Sequence, residues 1–127
     1  MKYLVGVFLV AHGLVHGMFL VPRPPDAGAS WPFDPADSWL LSRIAVQSDL
    51  ARVLGIALAA VTILAFVATA MTWIGVLPID WLRPAAAGAS VVSLLLLGVF
   101  FHSNLVIGVA IDTVLLWGFV VSGWSPE

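Results

Sequence analysis

Ala11-His12-Gly13-Leu14-Val15-His16-Gly17 lies inside an apolar run from Tyr3 to Val21, a stretch about long enough to cross a bilayer as one helix at about 1.5 Å per residue. Histidines four apart stand one above the other on a single helix face, and Gly13 and Gly17 form a Gly-x-x-x-Gly pair on the face beside it. Imidazoles at membrane depth are rare and turn toward a bundle interior. The rest of the chain is therefore expected to surround and cover this face.

Composition agrees. The chain has 127 residues, 61% of them hydrophobic and 9% charged, with a mean hydropathy of +1.09, far outside the range of a soluble domain of this size. Four spans of about 20 residues and one ordered loop use up the length, which implies one membrane domain, residues 1–127, with the lipid bilayer as its solvent. A net charge of −2 with only five Lys plus Arg argues against nucleic acid as a partner, since phosphate binding needs clustered cations. With no cysteine, disulfides, thiolate metal sites and thiol redox chemistry are excluded. Lys2 before an apolar run and the small residues Ala27-Gly28-Ala29 beyond it have features of a cleavable signal peptide. The run is longer than a usual signal core, carries the histidine pair and ends well before those small residues, so it is expected to remain as a span.

The first span, about 3–21, stops at Val21-Pro22-Arg23-Pro24-Pro25, whose prolines cannot continue a helix. Residues 22–48 form the one sizeable polar segment, with Arg23, Asp26, Asp34, Asp37 and Arg43 among the aromatics Trp31, Phe33 and Trp39. Asp34-Pro35 looks like an N-cap and first-turn proline, and Trp39, Leu40, Ile44 and Ala45 recur at helical spacing, which predicts a short amphipathic helix at the interface. Ser48 can cap a second span, about 50–76, with Asp49 in its first turn. Small residues Ala51, Gly55, Ala59, Thr62 and Thr69 run along it, as where membrane helices approach closely.

Pro78 to Pro84 reads as a turn, with Trp73 and Trp81 as interfacial anchors. A third span, about 85–101, carries Ala86, Ser90 and Ser93 on one stripe, and His102-Ser103-Asn104 breaks it from a fourth, about 105–121, which must run antiparallel to it. Asn104, Gly108 and Asp112 follow at i, i+4 spacing. The expected fold is an all-α, up-down bundle of four transmembrane helices, with both termini on one side and residues 22–48 and the His102 turn on the other. Lys2 and Arg83 on the termini side nearly balance Arg23, Arg43 and Arg52 on the loop side. The proline-rich, net acidic connection resembles an exported loop, which puts the termini in the cytoplasm.

Counting from the loop-side helix ends puts His16 roughly 9 Å deep, Asp112 and Ser93 roughly 12 Å, and His12 roughly 15 Å, with Thr62 at about the same level. An ionised Asp near the midplane is costly unless paired, and a histidine at that depth is its natural partner, so a hydrogen bond from Asp112 to His12 or His16 is expected. Arg52 and His102 would stand at the mouth of this pocket, with residues 22–48 as its lid, and Asn104, on one face of the fourth helix with Gly108 and Asp112, would belong to the same site.

Several functions fit such a site. His12, His16 and Asp112 can exchange protons near neutral pH, the minimum chemistry for a small-ligand or proton-coupled membrane module. The same residues could hold a divalent metal at an open site, and haem is conceivable through histidine. There is, however, no His-Glu-x-x-His, and three histidines fall short of the multi-histidine boxes of di-iron oxidases. The small-residue stripes would also suit a homo-oligomer or an accessory subunit of a larger membrane complex. In the plainest alternative the histidines bond to facing helices and Asp112 is a packing residue. Without a Gly-rich phosphate loop or a serine nucleophile motif, nucleotide or acyl-transfer enzymology is not expected.

Through His12-Gly13-Leu14-Val15-His16 and Gly108-Val109-Ala110-Ile111-Asp112-Thr113-Val114-Leu115-Leu116, the chain resembles small bacterial four-helix membrane proteins that open with a His-Gly-x-x-His pattern. The resemblance covers the first and last spans and the overall length. It implies four spans in a bacterial inner membrane and brings no activity. A broader likeness to DoxX-type four-helix proteins rests on size and topology.

Overall fold

The apolar runs fold as helices. The computed structural model describes residues 1–28 and 31–126 and is 73% helical, with no strand among the described residues. Four helices are long and apolar enough to cross a membrane: Lys2–Leu20, Ser48–Ile74, Ile79–Val99 and Ser103–Val121. Ala29, the last of the Ala27-Gly28-Ala29 small residues, and Ser30 in the 22–48 segment lie outside the described residues.

Helix α1 is α-helical over Lys2–Val15 and tightens into a 3₁₀ turn over His16–Leu20, just ahead of Pro22. The short helix expected in the first loop, α2, is a single turn, Trp39–Arg43. Asp34 does not cap it; Asp34 Oδ1 accepts instead from the Ala36 N–H at 2.9 Å, closing a local turn. The cap is Ser38, whose Oγ accepts from the Leu41 N–H at 3.2 Å. The next turn cannot form because Ala45 adopts a left-handed φ of 58°, and Ile44 is left exposed.

Helix α3 spans Ser48–Ile74; Gln47 rather than Ser48 occupies its N-cap, and Gly75, at φ 88°, closes it. Helix α4, Leu82–Val99, follows a 3₁₀ turn at Ile79–Trp81. It starts before residue 85 because Pro84 falls in its first turn, where a missing N–H costs nothing. A 3₁₀ turn at Ser103–Leu105 leads into α5, Val106–Leu116, which finishes as a π turn at Trp117–Val121.

Successive long helices run antiparallel. The N-terminus of α1 meets the C-terminus of α3, where the Trp73 indole N–H donates to the Lys2 carbonyl at 3.0 Å. Further along, a Cβ on Gly13 would fall 2.7 Å from Phe66 Cβ, so this glycine sets how closely the two helices approach. The small stripe of α3 faces inward, with Ala51, Ala59, Thr62 and Thr69 all buried, as are Ala86, Ser90 and Ser93 of α4. Between α1 and α5 the backbones approach far less than between α1 and α3, and side chains, among them His12 and Asp112, make the contact.

Apolar side chains form two clusters. One, toward the termini, gathers Leu9, Phe66, Trp73, Leu82, Leu115 and Phe119. The other, toward the loop, gathers Phe19, Ala59, Leu96, Leu97, Phe100 and Leu105. Overpacking a tight contact costs about 1–3 kcal/mol. Gly13→Val is thus expected to lower the unfolding midpoint of the detergent-solubilised protein, followed by circular dichroism. Gly88→Val, where nothing lies within 4 Å of an added Cβ, is expected to change it far less.

Candidate functional site

Between the two apolar clusters the bundle is polar. His12 and His16 come from α1, Ser93 from α4 and Asp112 from α5; they are 8%, 4%, 0% and 0% exposed. His12 Nε2 lies 2.8 Å from Asp112 Oδ1. Asp112 Oδ2 lies 2.5 Å from Ser93 Oγ, and Ser93 Oγ lies 2.7 Å from His16 Nε2. His16 Nδ1 in turn reaches the backbone oxygen of His12 at 3.1 Å. Phe66 of α3 walls the group, its ring edge-on to His12 at 4.9 Å and stacked on His16 at 6.2 Å between centroids. Phe8 stacks on the other side of His12 at 6.0 Å.

The geometry constrains where the protons of this network can sit. A carbonyl oxygen only accepts, so His16 Nδ1 carries a proton. At zero net charge the remaining contacts close in two ways. In one, His16 Nε2 accepts from Ser93, Ser93 accepts from a protonated Asp112, and the other Asp112 oxygen accepts from His12 Nε2–H. In the other, His16 is an imidazolium that donates to Ser93, Ser93 donates to an Asp112 carboxylate, and His12 donates as before. Each form has zero net charge, which burial of the whole group inside the bundle favours. They differ only by proton shifts along His16, Ser93 and Asp112.

Removing one proton breaks the pattern. Ser93 has a single hydrogen and cannot donate to His16 and Asp112 together, so one short contact would set lone pair against lone pair.

The same donors suit a metal less well. The ligand atoms of His12, His16 and Asp112 lie within 4.8 Å of one another, a looser spread than the about 3.3 Å edge of a tetrahedral site with bonds of about 2.0–2.1 Å. Ser93 also stands between His16 and Asp112, and both carboxylate oxygens are already engaged. A bis-histidine haem would need a histidine facing the α1 pair at their depth; the third, His102, sits in the α4–α5 turn, where its Nδ1 accepts from the Asn104 N–H at 3.2 Å.

Asn104, expected on the face of Asp112, and Arg52 and His102, expected at the pocket mouth, are not gathered with the cluster. Asn104 is exposed and shares no face with Asp112, because the 3₁₀ turn at Ser103–Leu105 winds at about three residues per turn and shifts the helical register. His102 stays with Asn104. Arg52 is exposed and lines a separate loop-side cavity with Arg23 and Asp34. Thr62 reaches the right level, but its hydroxyl donates to the Leu58 carbonyl of its own helix at 2.8 Å.

The 22–48 segment does not close over an open pocket either. Phe33 packs edge-on against Phe19 at 5.4 Å, and Phe19 against Phe100 at 6.0 Å, so an aromatic plug separates segment and cluster. Ser38 and Trp39 fasten the segment by donating to the carbonyls of Val99 and Gly98 at 2.5 and 2.8 Å. Neither Phe66 nor this plug is announced by the sequence, since an aromatic residue on an apolar helix gives no contrast. No protein-family model, curated protein or solved structure matches this chain.

Ser93 is the only link between Asp112 and His16 in the network. Leaving buried partners unpaired costs about 1–3 kcal/mol, so Ser93→Ala is expected to destabilise the solubilised protein by that amount in chemical denaturation. Thr62→Val, which removes only a hydroxyl bonded to its own helix and keeps the volume of this buried side chain, is expected to cost under about 1 kcal/mol.

Proposed function

We propose that this chain is a multi-pass integral membrane protein whose buried His12–Asp112–Ser93–His16 chain makes it a proton-coupled module. Bilayer insertion is supported by four sufficiently apolar helices and by outward-facing residues such as Val7, Leu64 and Ile107, each about two-thirds exposed or more. Lipid is the environment in which such faces need no further cover. The termini are taken to be cytoplasmic and the 22–48 segment to face the opposite side.

The observation that carries the proton reading is the unbroken run of hydrogen bonds through three helices. Apolar clusters lie on both sides of it, so the run is not a standing wire across the membrane. It works as a latch. The His12–Asp112 bond ties α1 to α5, helices that otherwise meet only through side chains. An apolar groove of about 450 Å³, lined by Phe8, Ile107, Ala110, Ile111, Val114 and Trp124 among others, lies along this seam. Loss of a proton leaves the His12–Asp112 bond in place but sets Ser93 against His16 or Asp112, and this strain favours parting of α1 from α4 and α5, which exposes the cluster to exchange with water or a small ligand. The sign follows: the latch is closed when the extra proton is held and opens as pH rises.

Asparagine reproduces the protonated acid, since its oxygen can accept from His12 while its amide donates to Ser93. Asp112→Asn therefore locks the latch shut. Cysteines placed at exposed Val7 and Val114 in this cysteine-free chain allow spin labels to report the α1–α5 distance in bilayers. Over about pH 5 to 9, the wild-type distance is expected to lengthen toward alkaline pH and that of Asp112→Asn to stay short. An unchanging wild-type distance, or the same response in both, contradicts the latch.

A further inference from the structure

At the loop-side end of the bundle, Arg52 of α3 has no hydrogen-bond or ion-pair partner among the described residues. It lines a cavity of about 210 Å³ together with Arg23, Phe33, Asp34, Pro35 and Ile56. Arg23 is held in place: its Nη2 donates to the Ala27 and Gly28 carbonyls, and its Nη1 lies 3.8 Å from Asp34 Oδ2. The cavity thus carries two guanidinium groups against one carboxylate. One cation is fixed and partly neutralised, and the other is unspent.

Its walls are mixed. Phe19, Phe33 and Ile56 give it an apolar side that continues onto the outer faces of α1 and α3, where Leu20 and Ile56 are exposed. A guanidinium fork matches the geometry of a phosphate with paired N–H donors, and a single added negative charge balances the site.

We infer that this cavity binds a phosphate group, with Arg52 as its principal ligand and Arg23 beside it. If the four helices span a bilayer, as proposed above, the cavity lies at the level of lipid headgroups, and a lipid phosphate with its chain along Leu20 and Ile56 satisfies both walls. A free phosphate would satisfy the polar wall alone. Either ligand joins the 22–48 segment, through Arg23, to α3, through Arg52, and so holds the segment over the Phe19–Phe33 pair.

The test uses the full chain in uncharged detergent, titrated with phosphatidylglycerol, with diacylglycerol lacking the phosphate, and with inorganic phosphate, reading the shift of the unfolding midpoint. Phosphatidylglycerol is expected to raise the midpoint and diacylglycerol not. Loss of a charge-assisted hydrogen bond corresponds to a roughly ten- to hundredfold weaker apparent affinity, which is the change expected for Arg52→Gln. Arg43→Gln should bind as wild type, because Arg43 lies over the Trp39 ring at 5.4 Å outside the cavity.

An Arg52-dependent response to inorganic phosphate as strong as that to the lipid keeps the phosphate site and gives it a soluble ligand. Equal binding by wild type and Arg52→Gln, or equal effects of the two lipids, overturns the site. Asp112→Asn should bind phosphatidylglycerol normally, so failure of the latch and failure of this site are separate results.

Discussion

A carboxyl group with no exposure in the middle of an apolar bundle must have both oxygens satisfied, and around Asp112 that requirement organises three helices. Leaving a buried polar group unpaired costs about 1–3 kcal/mol, and leaving a charge there costs more. One oxygen takes its partner from α1, the other from α4. His16 completes the set by closing back on the carbonyl one turn before it. Each helix can hold its rotation only if the others hold theirs.

The surrounding packing decides which contact is free to give way. Gly13 against Phe66 brings the backbones of α1 and α3 too close for even a methyl group, so α1 is seated firmly on α3. Gly55 instead makes room on α3 for Pro35 of the loop segment and the ring of Phe100. The α1–α5 seam has no such glycine contact, and there the His12–Asp112 bond adds to apolar side-chain packing of Leu9 with Leu115 and Phe119. In the proposed latch, a change in the proton content of the knot acts on the seam least supported by close packing. The aromatic plug on one side and the apolar cluster on the other keep water from meeting the protonation demand by itself.

Much of this was legible in the residues alone, because helical rise is fixed by geometry. Counting depth along apolar runs put His12, His16, Ser93 and Asp112 on one level, and the structure joins these four by hydrogen bonds. Depth does not fix rotation about the helix axis, however. Thr62 stands at the same level yet bonds within its own helix, and the 3₁₀ turn before α5 carries Asn104 off the face of Asp112. Local capping was ambiguous for a similar reason: Asp34 before Pro35 and Ser38 before Trp39 are both good caps, and Asp34 is instead engaged by the Ala36 amide. Phe66, Phe19 and Phe33 could not be distinguished in advance, since their importance lies in ring contacts between segments distant in sequence.

The shared proton is the central claim, and ¹⁵N NMR of the histidine side chains in bilayers, combined with the ¹³C shift of the Asp112 carboxyl, observes it most directly. The account predicts that His16 Nδ1 is protonated in the closed state and that His16 and the Asp112 carboxyl change protonation in one common step, which Ser93→Ala divides into two. An ionised Asp112 beside a neutral His16 in the closed bundle, or two groups that titrate independently in the wild type, would contradict it.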